Sequence, residues 1–239
     1  KNVFEINKYP SFSLLIEGIE RIIINEDFDN KSICLLERTQ LYGTSLFGGL
    51  FNKADVKSFD CSPINAEKRG SYNSHMIQNK NFIEFKDIYF ISQDENFKLP
   101  EEAFDIIFIP NLIHHFRDQK KLFQESYKSL KKEGKLIIFE PTFREIHQYP
   151  DDFIRYTPLG LETVLKENNF KIINTEEIGD SFEALTYILN VMTSKRDDKD
   201  FNKWCNQLIK DINKFKIGKI DIVKKHAKFP TAFITFAHK

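Results

Sequence analysis

The 239-residue sequence has no excess of charge of either sign, because 35 Lys and Arg residues balance 35 Asp and Glu residues. A net charge of zero supplies no broad positive surface, so nucleic acid and anionic membranes are not expected as partners. The three cysteines, Cys34, Cys61 and Cys205, form no CxxC pair. We therefore expect neither a disulfide framework nor a structural zinc site, and we expect a reducing compartment.

Long apolar runs are also missing. No segment approaches the roughly 18–20 apolar residues that cross a bilayer, and the first residues show no charged and then apolar leader pattern. We therefore expect a cytoplasmic protein without membrane insertion. The apolar content of 41% is nevertheless high enough for a packed core, which excludes wholesale disorder.

Short apolar segments alternate with helical segments through the first two thirds of the chain. The predicted strands are 32–36, 55–59, 87–91, 104–109 and 135–139, and the predicted helices are 11–24, 43–51 and 118–130, with Gly134 just past the end of the last one. Apolar strands separated by helices are typical of βαβ crossovers and of a parallel sheet covered on both faces.

The last third of the chain has a different pattern. It predicts helices at 158–168, 182–192 and 201–215 and strands at 171–178 and 231–236, with Trp204, Leu208 and Ile212 as a packing stripe. About 50 residues separate the last two strands, which is long for a connection. We expect an N-terminal helical extension (1–31), an α/β domain (32–180 and 229–239) and a helical insertion (181–228) that covers a site or contacts another copy.

Polar side chains follow the ends of the predicted strands. In an open parallel sheet, ligands bind beyond the carboxyl ends of the strands. The residues that fall there are Glu37, Asp60, Asp94, Asn111, His114, His115 and Glu140. We therefore expect them to line one site.

Three segments resemble the class I S-adenosylmethionine-dependent methyltransferases of the type 11 small-molecule kind. Leu99–Phe116 resembles the fourth motif of that family, Leu130–Pro141 its strand-5 motif, and Asp152–Leu161 a stretch common in members that act on glycans and other small metabolites. The resemblance implies an α/β, Rossmann-like, doubly wound and mostly parallel seven-stranded sheet. Its last strand would be antiparallel, helices would cover both faces, and a helical insertion would precede the last strand.

The resemblance also implies a cofactor, S-adenosylmethionine, which leaves as S-adenosylhomocysteine. Asp60 would accept hydrogen bonds from both ribose hydroxyls, since a carboxylate offers two oxygens. Asp94 would face the adenine amino group, and Asn111 the methionine part. Asp60 could instead be a turn or helix-capping residue, and Asp94 an ordinary loop acid.

The loop after the first strand departs from the family pattern of an acid followed by three glycines at alternate positions. Counted from Glu37, those positions hold Thr39, Leu41 and Gly43, so one glycine remains. Either the loop uses a different turn, in which Glu37 and Gly43 still bind the cofactor, or the pocket is impaired. The survival of Glu37 and Asp60 favours the first explanation.

Methyl transfer needs an in-line nucleophile and exclusion of water, and a base only if the acceptor arrives protonated. His115 and His114 are the candidate bases, although both could simply cap the fourth strand. Glu140 is predicted to orient an acceptor, or else to pair with a lysine. Arg155 and Tyr156 are predicted to form a wall of the acceptor pocket.

The other histidines give no metal site in the sequence. His75, His147 and His226 are scattered and predicted at the surface, and no compact His/Asp set has ligand spacing, so no metal is implied. A nicotinamide dehydrogenase is disfavoured because the G-x-G-x-x-G turn is absent.

Two hypotheses follow from these residues. In the first, the chain methylates an oxygen or nitrogen of a small-molecule acceptor, with a sugar of a surface glycan as one candidate. In the second, it is a non-catalytic methyltransferase-fold scaffold or partner subunit with an impaired cofactor site. Under either hypothesis the helical insertion could mediate a homo-oligomer.

Overall fold

A computed structural model describes most of the α/β part of the chain. The described residues are 18, 21, 26–38, 51, 53–61, 87–90, 97–147, 150–194, 196–226 and 229–239, with the backbone alone for most of 87–90 and for 216–226. Gly43 and Asp94 lie outside the described residues, as do nearly all of the predicted helices 11–24 and 43–51. Residues 18 and 21, both helical, belong to the first of these.

Seven strands form a single sheet. They are β1 (Ser32–Glu37), β2 (Asp55–Asp60), β3 (Asp87–Phe90), β4 (Phe104–Pro110), β5 (Leu130–Pro141), β6 (Lys171–Ile178) and β7 (Ala232–His238). Their spatial order is β3-β2-β1-β4-β5-β7-β6. Neighbours from β3 to β5 are parallel, whereas β7 runs antiparallel to both β5 and β6. The predicted mostly parallel, seven-stranded α/β sheet with an antiparallel last strand is confirmed.

The strands are apolar on both faces because both faces are covered. Successive side chains of a strand point to opposite faces, and the buried residues of β1 divide accordingly. Cys34 and Leu36 belong to one core cluster, and Ile33 and Leu35 belong to another on the opposite face. This double burial explains why β1 reads as an uninterrupted apolar run.

Four α-helices lie among the described residues. They are α1 (Gln119–Ser129), α2 (Pro158–Glu167), α3 (Ser181–Ser194) and α4 (Lys199–His226), and a short 3₁₀ helix, Ile113–His115, precedes α1. Asp118 caps α1 by accepting a hydrogen bond from the Lys121 N–H at 3.0 Å, and Thr157 caps α2 through the Gly160 N–H at 3.1 Å. Leu122 of α1 and Leu161 of α2 are buried in the same core cluster.

The end of α1 differs from the prediction. The helix stops at Ser129, and β5 begins at once with Leu130. Gly134 therefore lies inside β5 rather than past a helix end, and the left-handed residue is its neighbour Glu133, at φ 61°. A Cβ on Gly134 would lie 2.9 Å from the Lys131 carbonyl oxygen, so a close backbone approach requires this glycine.

The two helices before β7 pack against each other as a hairpin. The prediction that Trp204 belongs to the packing stripe of α4 is wrong, because its side chain is 56% exposed and the adjacent Cys205 is buried instead. None of the helices among the described residues is long and apolar enough to cross a bilayer. The division into an extension, a domain and an insertion stays a prediction, as does the contact between copies.

Candidate functional site

Two buried carboxyl groups lie side by side where β1 and β2 end. The parallel register pairs Glu37 with Asp60, and neither side chain is more than 1% exposed. The Ser58 hydroxyl donates a hydrogen bond of 2.5 Å to Glu37 Oε1. The sheet register therefore brings together the two acids that the sequence assigned to the cofactor.

The turn after β4 is built around Asn111. Its φ of 55° is in the left-handed region, which asparagine tolerates better than most residues. The Asn111 N–H donates to the Phe139 carbonyl at 2.6 Å, and Arg144 donates to Asn111 Oδ1 at 3.2 Å. This turn carries the chain directly into the 3₁₀ helix that presents both predicted catalytic histidines.

Glu140, at the end of β5, is fully buried against that 3₁₀ helix. Its Oε2 accepts the Ile113 N–H and its Oε1 the His114 N–H, both at 3.3 Å, and Oε1 also contacts His114 Nδ1. Burial raises the pKa of Glu140 to about 8, and burial lowers the pKa of His114. The raised pKa favours a protonated, neutral Glu140, and the lowered pKa favours a neutral His114 ring.

The predicted contact of Glu140 with an acceptor stays a prediction. Both oxygens of Glu140 already accept hydrogen bonds from the 3₁₀ helix. The alternative expectation, an ion pair between Glu140 and a lysine, is wrong because the partner is a histidine.

His147 lies against His114, although the sequence placed it at the surface. The Nε2 atoms of the two rings are 3.3 Å apart, and the His147 side chain is only 12% exposed. Its Nδ1 lies 3.1 Å from the Glu145 carbonyl oxygen, which fixes the proton on Nδ1. Burial, followed by the charge of Arg144, lowers the pKa of His147 to about 4.

His115 is also buried, with Nδ1 at 2.5 Å from the Asp151 carbonyl oxygen. A carbonyl oxygen only accepts, so Nδ1 carries the ring proton and Nε2 keeps a lone pair. Burial lowers the pKa of His115, and the neighbouring His114 adds to this effect. His115 is therefore a neutral imidazole that can accept a proton at Nε2.

Arginine–carboxylate pairs surround the histidines. Arg38 contacts Asp151 at 3.0 Å, and Arg155 holds Asp152 through two hydrogen bonds of 2.5 and 2.9 Å. Burial alone would raise the pKa of Asp152, but hydrogen bonds from Arg155 and the His147 backbone hold this pKa below its usual range. The segment between β5 and α2 is thus fixed over the site by charge-assisted hydrogen bonds.

Tyr156 and Arg155 are neighbours in sequence but have different surroundings. The Tyr156 hydroxyl contacts Gln119 Oε1 at the start of α1, whereas Arg155 faces Asp152. Burial raises the pKa of Tyr156, and the nearby Glu140 carboxyl contributes. Their predicted role as an acceptor wall stays a prediction.

Sequence reasoning missed His147, Arg38 and Arg144. The available signal was the charged and histidine-containing segment 142–157, which joins a strand end to a helix and so falls at the edge where ligands bind. The sequence also implied no metal, whereas the fold gathers His114, His115 and His147 so that one ring nitrogen of each lies within 4.8 Å of the others. The sequence did not predict this group because His147 is 33 residues away from His114 along the chain.

An open, mostly parallel sheet with polar residues gathered at its carboxyl edge defines a Rossmann-like α/β protein that binds its ligand at this edge. A family model described as "Methyltransferase domain" matches residues 54–138. A phosphoethanolamine N-methyltransferase of Plasmodium falciparum is 29% identical over 205 residues, which are 84% of this chain and 68% of that protein.

Solved structures share the fold. A SAM-dependent methyltransferase from Archaeoglobus fulgidus superposes with a TM-score of 0.56 at 14% identity, covering 94% of this chain and 93% of that one. Phosphoethanolamine N-methyltransferase 2 of Haemonchus contortus, in complex with S-adenosyl-L-methionine, gives 0.52 at 16% identity, covering 94% of this chain and 51% of that one.

The resemblance to the class I S-adenosylmethionine-dependent methyltransferases that the sequence predicted is confirmed by the family model and by these structures. The predicted enzyme class and the predicted cofactor, S-adenosylmethionine, are thereby confirmed. The family match begins at residue 54, after β1 and the loop that lacks two of the three glycines. The acceptor and the residue roles belong to the proposal that follows.

Proposed function

We propose that the chain methylates the nitrogen of a small amine that also carries a phosphate, of the phosphoethanolamine type. The observation that carries the proposal is the neutral His115 ring, whose Nδ1 is held by Asp151 and whose Nε2 can accept a proton. The similarity to a phosphoethanolamine N-methyltransferase over 84% of the chain supports this acceptor class. An amine acceptor is one case of the broader prediction, which was an oxygen or nitrogen of a small molecule.

The donor set at the ends of β1 and β2 fits S-adenosylmethionine, which supplies a methyl group on a positively charged sulfur. Asp60 would accept hydrogen bonds from the ribose hydroxyls. Glu37, which accepts a hydrogen bond from Ser58, would lie beside Asp60 at the same part of the cofactor site. Asn111 would face the methionine part from the turn after β4. Gly43 and Asp94 lie outside the described residues, and their cofactor contacts stay predictions.

An ammonium group must lose a proton before its nitrogen can attack the methyl group. His115 Nε2 would take that proton, because its other ring nitrogen is already engaged. Burial lowers the pKa of His115 and so weakens it as a base, which means that Nε2 would pass the proton on rather than keep it. His114, fixed by Glu140, would keep the His115 ring in place, since the two ring centroids are 4.0 Å apart. In this proposal His115 is the base and His114 is a positioning residue.

The phosphate of the acceptor would bind to guanidinium groups. Arg144 donates to the Asn111 amide at 3.2 Å and reaches the nearest carboxylate, that of Glu145, only at 4.0 Å. Arg155 lies in the same segment, and Tyr156 could add its hydroxyl. Guanidinium groups match phosphate oxygens through paired hydrogen bonds.

The test measures methyl transfer to a panel of acceptors by mass spectrometry. The panel contains phosphoethanolamine, ethanolamine and a nucleotide sugar. We expect methylation of phosphoethanolamine, weaker turnover of ethanolamine, and a loss of about 100-fold or more in rate for His115→Asn. His238→Asn, at the opposite edge of the sheet, is the matched control and should retain the wild-type rate.

Transfer to the sugar alone would reject the amine in favour of the glycan acceptor. A chain that binds S-adenosylmethionine but methylates none of the three acceptors would reject the proposed acceptor class. A chain that does not bind S-adenosylmethionine at all would support the non-catalytic scaffold. Equal rates for His115→Asn and wild type would reject His115 as the base.

A further inference from the structure

The three clustered histidines share one arrangement: Nδ1 of each ring is held by an oxygen outside the cluster. The partner is the Glu140 carboxyl group for His114, the Asp151 carbonyl for His115 and the Glu145 carbonyl for His147. Histidines that bind metals almost always have one ring nitrogen fixed in this way by a carboxylate or a carbonyl. Nε2 is therefore the nitrogen that each ring has left for a ligand.

The spacing of the rings also fits a metal ion. Zinc–nitrogen bonds of about 2.0–2.1 Å in a tetrahedral site place two nitrogens about 3.3–3.4 Å apart. The Nε2 atoms of His114 and His147 are 3.3 Å apart. For the whole group, one ring nitrogen of each histidine lies within 4.8 Å of the others, so His115 would have to move by about 1.5 Å to bring its nitrogen to the same spacing.

We propose that His114, His115 and His147 bind a divalent transition-metal ion of the zinc type through their Nε2 atoms. Imidazole nitrogens suit zinc, cobalt, nickel and copper, whereas magnesium and calcium require oxygen ligands. Three protein ligands leave a fourth position for water or for a ligand group. The proposal goes beyond the methyltransferase function and does not depend on the amine acceptor. An ion on His115 Nε2 would occupy the lone pair that the proposed base uses, so the metal-bound chain would not deprotonate an amine.

Nearby positive charge does not exclude a cation here. Arg38 and Arg155 face Asp151 and Asp152 at hydrogen-bond distance, and Arg144 has the Glu145 carboxylate at 4.0 Å. Three carboxylates therefore offset three guanidinium groups around the cluster. Because His114 is fully buried and His147 is partly exposed, an ion would enter past His147.

The binding test uses the full chain after treatment with a chelator, without methyl donor or amine. Titration with Co²⁺ reports geometry, because tetrahedral Co²⁺ absorbs visible light far more strongly than octahedral Co²⁺. We expect one equivalent of Co²⁺ with intense bands that Zn²⁺ displaces. His147→Asn should weaken binding by about 100-fold, whereas His238→Asn should bind as the wild type does.

No saturable Co²⁺ binding up to millimolar concentration would overturn the proposal and leave the His114–His147 contact as an ordinary hydrogen bond. Weak octahedral bands, or unchanged affinity of His147→Asn, would also overturn it. The wild-type titration decides the matter even if His147→Asn folds poorly. Since no methyl donor is present, failure here would not count against the proposed function.

Discussion

The carboxyl group of Glu140 is held at three points by the turn after β4. Two backbone N–H groups donate to its oxygens, and the His114 ring contacts the same group. A buried carboxyl group becomes costly when its partners are removed, because the donors left behind cannot reach water. The neighbouring imidazole therefore depends on Glu140 for its orientation.

This arrangement gives a prediction at the scale of one residue. Glu140→Gln keeps an oxygen for the Ile113 N–H and a donor for His114 Nδ1 but loses the acceptor of the His114 N–H, so it should cost about 1 kcal/mol of unfolding free energy. Glu140→Leu leaves two N–H groups and a ring nitrogen unsatisfied, and should cost about 3 kcal/mol or more. Chemical denaturation checks both values.

Glu101→Gln is the matched control for these variants, because Glu101 is exposed and its nearest cation, Lys98, is 4.0 Å away. This change should alter stability by less than about 0.5 kcal/mol. If Glu140→Gln and Glu140→Leu destabilise the protein equally, the hydrogen-bonding account of Glu140 is wrong.

Single residues of the site could be predicted from the sequence only where their position followed from a strand end. Glu37 and Asp60 end β1 and β2, and Glu140 is the last residue but one of β5, so continuous apolar runs were enough to place them. His147 could not be placed, because its contact with His114 depends on how an irregular segment folds back over the sheet. Contacts made by irregular segments leave no periodic pattern of apolar residues in the sequence, so they cannot be predicted from it.

At the scale of elements, a network at the amino edge of the sheet joins three strands. Asp105 Oδ2 of β4 accepts from the N–H and the hydroxyl of Ser32, at 2.8 and 2.6 Å, and from Lys131 Nζ at 2.9 Å. Burial alone would raise the pKa of Asp105, but the hydrogen bonds from Ser32 and Lys131 lower it to about 2. The network thus ties β1 and β5 to β4.

The lowered pKa of Asp105 predicts a pH dependence of stability. The unfolded carboxyl group has a pKa of about 3.9, so its stabilising contribution is complete above that pH. The contribution is lost as pH falls through about 2 in the folded state. Because the side chain is 32% exposed, the loss should be about 1 kcal/mol.

Acid unfolding of Asp105→Asn checks this prediction. The variant should be less stable at pH 7, and the difference from the wild type should shrink between about pH 4 and pH 2. A difference that stays constant across this range would show that the charge of Asp105 does not contribute.

Elements with uniform patterns were predicted well, and boundaries were not. The strands were found because double burial makes them continuous apolar runs. The start of β5 was missed because Leu130–Gly134 combines helix-forming lysines with a glycine that usually ends a helix. Here the pairing of Leu130 with Phe104 overrides that local preference and draws the segment into the sheet.

At the scale of the whole molecule, the sheet topology determines where the candidate site lies. The order β3-β2-β1-β4 changes direction between β1 and β4, and such a switch point opens a crevice at the carboxyl ends of the strands. Glu37 and Asp60 end β1 and β2, and His114 and His115 follow the end of β4. The residues that we propose for cofactor and acceptor therefore come from distant parts of the chain.

The topology itself could be predicted from the sequence, because the order of strands and helices in about the first three quarters of the chain resembles one family. Whether the site still binds the cofactor could not be predicted, because the loop after β1 keeps only one of the three glycines. Glycine loss changes how closely a backbone approaches a ligand, and spacing alone does not reveal the compensation. The cofactor therefore has to be tested by binding.

Isothermal titration of S-adenosylhomocysteine into the wild type and Asp60→Asn tests the central claim most directly. We expect saturable one-to-one binding by the wild type and a loss of about 1–3 kcal/mol in Asp60→Asn, the usual cost of losing charge-assisted hydrogen bonds. The exposed variant Glu101→Gln should bind as the wild type does. No binding by the wild type at millimolar ligand, or equal affinity of Asp60→Asn, would contradict the account.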